Sequence, residues 1–376
     1  MPHFMGDFRV DHFMLRYSIF IPRFYNLCKS YAFEAGKIMP SRAFCSDENQ
    51  GFPIILITKH FGTFPFNHGS VGGIVATDRH GPHSHHGRDM AIIQASHVGY
   101  DPATKTFGNY RRLQMDGQIP TPTCGKICGI TSWYEKEYMF AQENINFTCL
   151  NGVKAVIIDN QLLNPEREEG LILQLEKLQL IEPGCVPTLL QVFSTAKAYK
   201  VNTALQERLP PEYWQEGIMT PFGNQLSADF FHFRRNLTTQ LEDNNHLESN
   251  LIHAMPQIIT SPSPALAAAQ VNTQVEFDRA YRSIAKEESY HGKNLAFIAG
   301  LHIDISPNRG QIFPLTKFIP WAAYIQTSDG DQFTLEQEEL MAALIEQSAE
   351  NPDQIDLEEA IAVMEQTEEV IIETGH

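Results

Sequence analysis

At 376 residues, 43% of them hydrophobic and 19% charged, the chain reads as a folded protein of one large domain or two ordinary ones, not a disordered one. No apolar run reaches the roughly 18 to 20 residues that span a bilayer, and six cysteines are too few for a disulfide scaffold. The net charge of −17 belongs to one segment: Ser328 to His376 holds fifteen Asp and Glu and no Lys or Arg, the remainder is near neutral, and a basic nucleic-acid footprint is absent.

In chain order, residues 1–40 are rich in Phe, Tyr, Met and Arg and are expected to form a helical arm on the body of the fold. The start lacks a basic patch followed by an unbroken apolar core. A secretory signal is therefore not expected, and a cytoplasmic setting is the default. Ile54-Ile55-Leu56-Ile57-Thr58 is a β-branched run that predicts a buried strand. Gly72 to Thr77, Met90 to His97 and Ala155 to Asp159 predict three more. Continuous rather than alternating apolar strands suit a sheet covered on both faces. Helices are expected over Ile130 to Gln142 and Glu166 to Leu180, with a linker at 181–190. Residues 200–290 read as mostly polar and helical, broken by prolines, and Asn294 to Ile305 as a strong strand. The last stretch sets Leu340, Leu344, Ile355, Ile361 and Met364 among Glu residues, the pattern of an acidic amphipathic helical pair. Ser96-His97-Val98 and Leu301-His302-Ile303 echo one another faintly.

The chemistry concentrates early. Seven of fifteen histidines lie between His60 and His97, and Cys124 and Cys128 follow in a Gly-flanked turn. Imidazole, thiolate and carboxylate hold zinc and its neighbours. His97 is expected at a strand end and Cys124 just before a helix, where backbone amides and the helix dipole favour a thiolate. A strand-end His is more often a hydrogen-bonded structural residue, and His83, His85 and His86 suit a solvated loop equally well. Spacing alone therefore supports a candidate zinc site and no more.

A set of short segments goes further. Phe44-Cys45-Ser46-Asp47-Glu48, Phe61 to Asn67, Gly72 to Thr77, Gly87-Arg88-Asp89, Ser96 to Asp101 and Thr123-Cys124-Gly125 occur in that order. Over about residues 40–180 the chain resembles the limiting-CO2-inducible protein B/C family, a divergent branch of the β-class carbonic anhydrases. The resemblance implies an α/β fold, a carbonic-anhydrase-like mixed sheet covered by helices, here with a long C-terminal extension. The chain would divide into an arm (1–40), a carbonic-anhydrase-like domain (41–190), an extension (191–327) and an acidic helical tail (328–376).

The resemblance further implies a homodimer and a zinc ion (Zn2+) held by two cysteines and one histidine beside an Asp/Arg pair. The family's His falls on His97 and its second Cys on Cys124. Its first Cys falls near Thr77-Asp78, where this chain has none, so Asp78 or His80 is the expected substitute ligand. Asp47 is present as the acidic partner, but the family's Arg is missing. Arg79 or Arg88 is its expected replacement. The implied reaction is reversible hydration of CO2 to bicarbonate by hydroxide held on zinc. Two other readings fit: metal-dependent hydrolysis of a small substrate at the same site, and a non-catalytic regulatory or binding protein on the same fold.

Overall fold

The computed structural model describes residues 8–76, 88–111, 119–159, 162, 168–173, 178–180, 196–237, 244–308, 311 and 313–367. In chain order the principal elements are α1 (Tyr17–Ser30), β1 (Ile38–Ala43), α2 (Gly51–Phe61), β2 (Asp89–Asp101), α3 (Gly125–Asn144), β3 (Ile145–Leu150), β4 (Val153–Asp159), β5 (Ala196–Val201), α4 (Pro264–Ile284), β6 (Leu295–Ile305), β7 (Leu315–Gln326), α5 (Gln337–Glu346) and α6 (Leu357–Gln366). They form two units, Met1–Cys124 with Thr273–His376 and Gly125–Asn272. None of the helices among the described residues is long and apolar enough to cross a membrane.

The first unit is a mixed sheet covered by helices. Along it run β7, β6, β2 and β1, with β6 and β1 parallel to β2 and β7 antiparallel to β6. β2 and β6 are the two long apolar runs that the sequence marks as strands, and both are buried along nearly their whole length. On one face Ala91, Ile93 and Ala95 pack with α1 and α2 through Phe20, Phe24, Ile57 and Phe61. On the other, Met90, Ile92 and Phe297 meet Phe277, Ala280 and Ile284 of α4. Burial of this kind contributes roughly 1.5 to 3 kcal/mol for each large apolar side chain.

The second unit carries an antiparallel sheet in which β4 lies between β3 and β5. Phe147 on β3 is its centre, met edge-on by Tyr213, Trp214 and Phe222.

Three expectations are corrected. The run Ile54 to Thr58 is helical, inside α2. Pro53 sits in the first turn, where its missing N–H costs nothing, and Gly62 closes the helix in the left-handed region at φ 75°. Pro53, Ile57 and Phe61 then bury one face, leaving Ile55 outside. Within Glu166 to Leu180 the described residues form strands, Gly170–Leu173 and Leu178–Leu180. Leu171 and Leu173 are two apart, the period of a strand and not of a helix. Of the run Gly72 to Thr77, the described residues 72–76 hold only a two-residue strand, Ile74–Val75, because Gly72 and Gly73 turn the chain with φ of 76° and 79°. The 181–190 linker lies outside the described residues.

The acidic tail does form two helices. α5 is closed by a capping box between Glu336 and Glu339 and buries Leu340, Met341 and Leu344. α6 is capped by Asp356, whose carboxylate accepts from the backbone N–H groups of Glu358 and Glu359. Its Ile361, Val363 and Met364 are exposed.

Candidate metal centre

Three stretches of the first unit converge on one point. β1 runs parallel to β2 with Ala43 opposite Gln94, so the chain leaving β1 carries Cys45 alongside His97. His97 sits within β2, four residues before its end. Thr123 is hydrogen-bonded onto the same strand, its carbonyl accepting from the Gly99 N–H at 2.8 Å, which brings Cys124 to the other side of the imidazole. Cys45, His97 and Cys124 offer ligand atoms within 4.8 Å of one another, the one such cluster among the described residues, and all three are buried.

The donor set and spacing suit a tetrahedral ion. Two sulfurs each about 2.3 Å from zinc stand roughly 3.8 Å apart at the tetrahedral angle, and the Cys45 and Cys124 sulfurs are 3.8 Å apart. The His97 Nε2 makes no hydrogen bond although it is buried. It faces the thiols and an Asp47 carboxylate oxygen at 3.8 Å. Its other nitrogen, Nδ1, donates to Asp304 Oδ2 at 2.9 Å. A ligating histidine is held in this way by a carboxylate behind it.

Asp304 is fully buried on β6 and takes three donors. Besides His97 they are Gln50 Nε2 on Oδ2 at 2.7 Å and Thr316 Oγ1 on Oδ1 at 3.1 Å. Burial pushes its pKa up, and these three donors oppose that shift. Burial acts against charge on His97, yet the bond to Asp304 and the two thiols raise its pKa well above the usual imidazole range. The Cys45 and Cys124 sulfurs interact at 3.8 Å. The contact with Cys124 pulls the Cys45 pKa down, with help from His97 and the Gly72 N–H. The same contact, with burial, pushes the Cys124 thiol up. Asp47 is raised to about 7 by burial first and by its bond with Glu48.

Asp47, His97 and Cys124, singled out in the sequence, are thus brought together. Asp78, Arg79 and His80 lie outside the described residues. Arg88 is exposed and precedes β2, nine residues before His97, about 30 Å along an extended strand. Among the charged groups acting on Asp47 are His97, Glu48 and Cys45. Sequence reasoning placed Cys45 in the motif without assigning it a ligand's role, and passed over Asp304, Gln50 and His302. The echo of Ser96-His97-Val98 in Leu301-His302-Ile303 was the available signal, because those residues are register partners in the parallel β2–β6 pair.

No protein-family model matches the chain, and no curated protein matches it in sequence. In fold it is similar to PtLCIB4, a homolog of the limiting CO2-inducible protein LCIB (TM-score 0.48, 10% identity, 86% of this chain and 94% of that one). It is also similar to limiting CO2-inducible protein LCIB itself (TM-score 0.45, 12% identity, 90% of this chain and 97% of that one). These are likenesses of fold, and what the site can do rests on its own geometry.

Proposed function

We propose that the chain is a zinc-dependent, carbonic-anhydrase-like lyase that hydrates CO2 reversibly, with Cys45, His97 and Cys124 as metal ligands. CO2 and bicarbonate are the small-molecule substrates, and the working form is a homodimer, as the sequence resemblance implies. The observation that carries the reading is the convergence of two buried thiols and an unbonded imidazole Nε2, with the Asp47 carboxylate beside them. Three protein donors leave one tetrahedral position open, the arrangement of a catalytic rather than a structural zinc site. Zinc bound there supplies a water whose proton leaves near neutral pH.

The chain's own residues do the rest. Asp304 holds the His97 ring so that Nε2 faces the sulfurs. The Cys45 thiolate receives the Gly72 N–H, which steadies its negative charge. Asp47, whose carboxylate oxygen lies 3.8 Å from His97 Nε2, is placed to accept a hydrogen bond beside the open position. Cys45 supplies the third donor, so the ligand set is complete without Asp78 or His80.

Metal analysis with stopped-flow CO2 hydration at pH 7 to 8.5 tests this. The expected result is one zinc per chain and hydration activity, the activity being lost and the zinc held more weakly in Cys45→Ser and His97→Ala. Bound zinc without hydration overturns the reaction, and a protein that takes up no zinc overturns the site.

A further inference from the structure

Behind the cluster stands a second histidine that the proposed chemistry does not use. His302 is the register partner of His97 across β2 and β6, and it is fully buried. Tyr17, Phe44 and Phe318 surround its ring edge-on, with centroids at 5.0, 4.8 and 5.7 Å. Between the two imidazoles lies the buried side chain of Gln50. Its Oε1 is 2.7 Å from His302 Nδ1, its Nε2 is 2.7 Å from Asp304 Oδ2, and the same Nε2 flanks His97 Nδ1 at 3.3 Å.

The direction of this chain of bonds is forced. A carboxylate only accepts, so the Gln50 amide must turn its N–H2 to Asp304. Its carbonyl oxygen then faces His302, which must carry its proton on Nδ1. The reversed amide would set two acceptors against each other, its oxygen facing the Asp304 carboxylate at 2.7 Å. The caged His302 ring has no room to turn away. The amide therefore locks the Asp304 carboxylate in place, and Asp304 in turn holds the His97 Nδ1 and leaves Nε2 turned to the sulfurs.

We infer that Gln50 and His302 are positioning residues of the metal centre: the His302 ring orients the Gln50 amide, which fixes Asp304 and so presents His97 Nε2 to the metal. The inference rests on the proposed metal site. It assigns a role to a residue pair that touches neither ion nor substrate.

The test is zinc affinity, by competition with a chromogenic chelator, on the full-length protein and three variants. Gln50→Ala removes the amide, His302→Phe keeps the ring shape and loses the donor, and His302→Asn keeps an N–H donor. Zinc affinity is expected to fall about 10- to 100-fold in the first two and to stay near the parent value in the third. In zinc-loaded protein labelled with 15N-histidine, the slowly exchanging His97 Nδ1 proton is expected to exchange faster in Gln50→Ala and His302→Phe. Parent-like affinity and exchange in either of these two variants would overturn the inference while leaving the metal site standing. Parent protein that binds no zinc overturns both. Should His302→Phe fail to fold, Gln50→Ala decides alone.

Discussion

The sulfurs of Cys45 and Cys124, 79 residues apart in the chain, stand 3.8 Å from each other. That is almost twice the roughly 2.05 Å of a disulfide bond, so the pair is two thiols with space between them for a third atom.

Cobalt substituted for zinc should report both sulfurs directly. The thiolate-to-cobalt charge-transfer band in the near ultraviolet is expected at full strength in the parent, at about half in Cys45→Ser or Cys124→Ser, and absent in the double variant. An unchanged band in Cys45→Ser would remove that residue from the ligand set.

Asp304→Asn should weaken the centre from behind. The new amide can keep its oxygen on the Gln50 and His97 donors by turning its N–H2 to Thr316 Oγ1, but it no longer carries the negative charge that His97 faces. Because a buried charge partner is lost, stability is expected to fall by about 3 kcal/mol, read from urea denaturation. Zinc affinity should drop about 10- to 100-fold, read by chelator competition.

Gly73→Ala should disturb the thiolate's support. Gly73 has φ +79°, and a Cβ placed there would lie 2.1 Å from the Ala95 carbonyl oxygen on β2. The turn must shift, and with it the Gly72 N–H that faces Cys45. A cost of about 2 to 3 kcal/mol is expected. Thermal unfolding and the zinc content of the purified variant check it together.

His60 should make the fold acid-sensitive. It is held near Asn351, whose amide lies 3.3 Å from its Nδ1 and donates to its backbone carbonyl at 3.1 Å. Burial, and then Lys59, push its pKa down to about 4. Between about pH 6.5 and 4 the unfolded chain therefore takes up a proton that the folded chain refuses. The contribution to stability is level above pH 6.5 and is lost as pH falls toward 4, on the order of 1 to 2 kcal/mol after allowance for solvent screening. His60→Gln should flatten this part of the profile, seen as a smaller difference in unfolding free energy between pH 6.5 and pH 4.5.

The sequence made the sheet legible where burial is two-sided. β2 and β6 are mostly apolar runs, buried on both faces, with few charges and too short for a membrane. It misled at α2, where propensity favours a strand and the Pro53 start and Gly62 stop decide for a helix. Of the centre itself, His97, Cys124 and Asp47 were readable because each sits in a short motif. Asp304 was not, since it lies 207 residues beyond His97 and only the parallel pairing of β2 with β6 brings the two together. Gln50 was hidden for the same reason, 254 residues before the carboxylate it holds.

That long separation bears on biogenesis. A growing polypeptide exposes Cys45, His97 and Cys124 well before the ribosome has made β6, yet the carboxylate that orients the imidazole is absent until residue 304 has emerged. Strand pairing across such a gap is slow and comes late. The carboxylate–imidazole contact would thus form only after β6 has been made, so a metal at the proposed centre would be captured after the strands that carry its ligands have emerged.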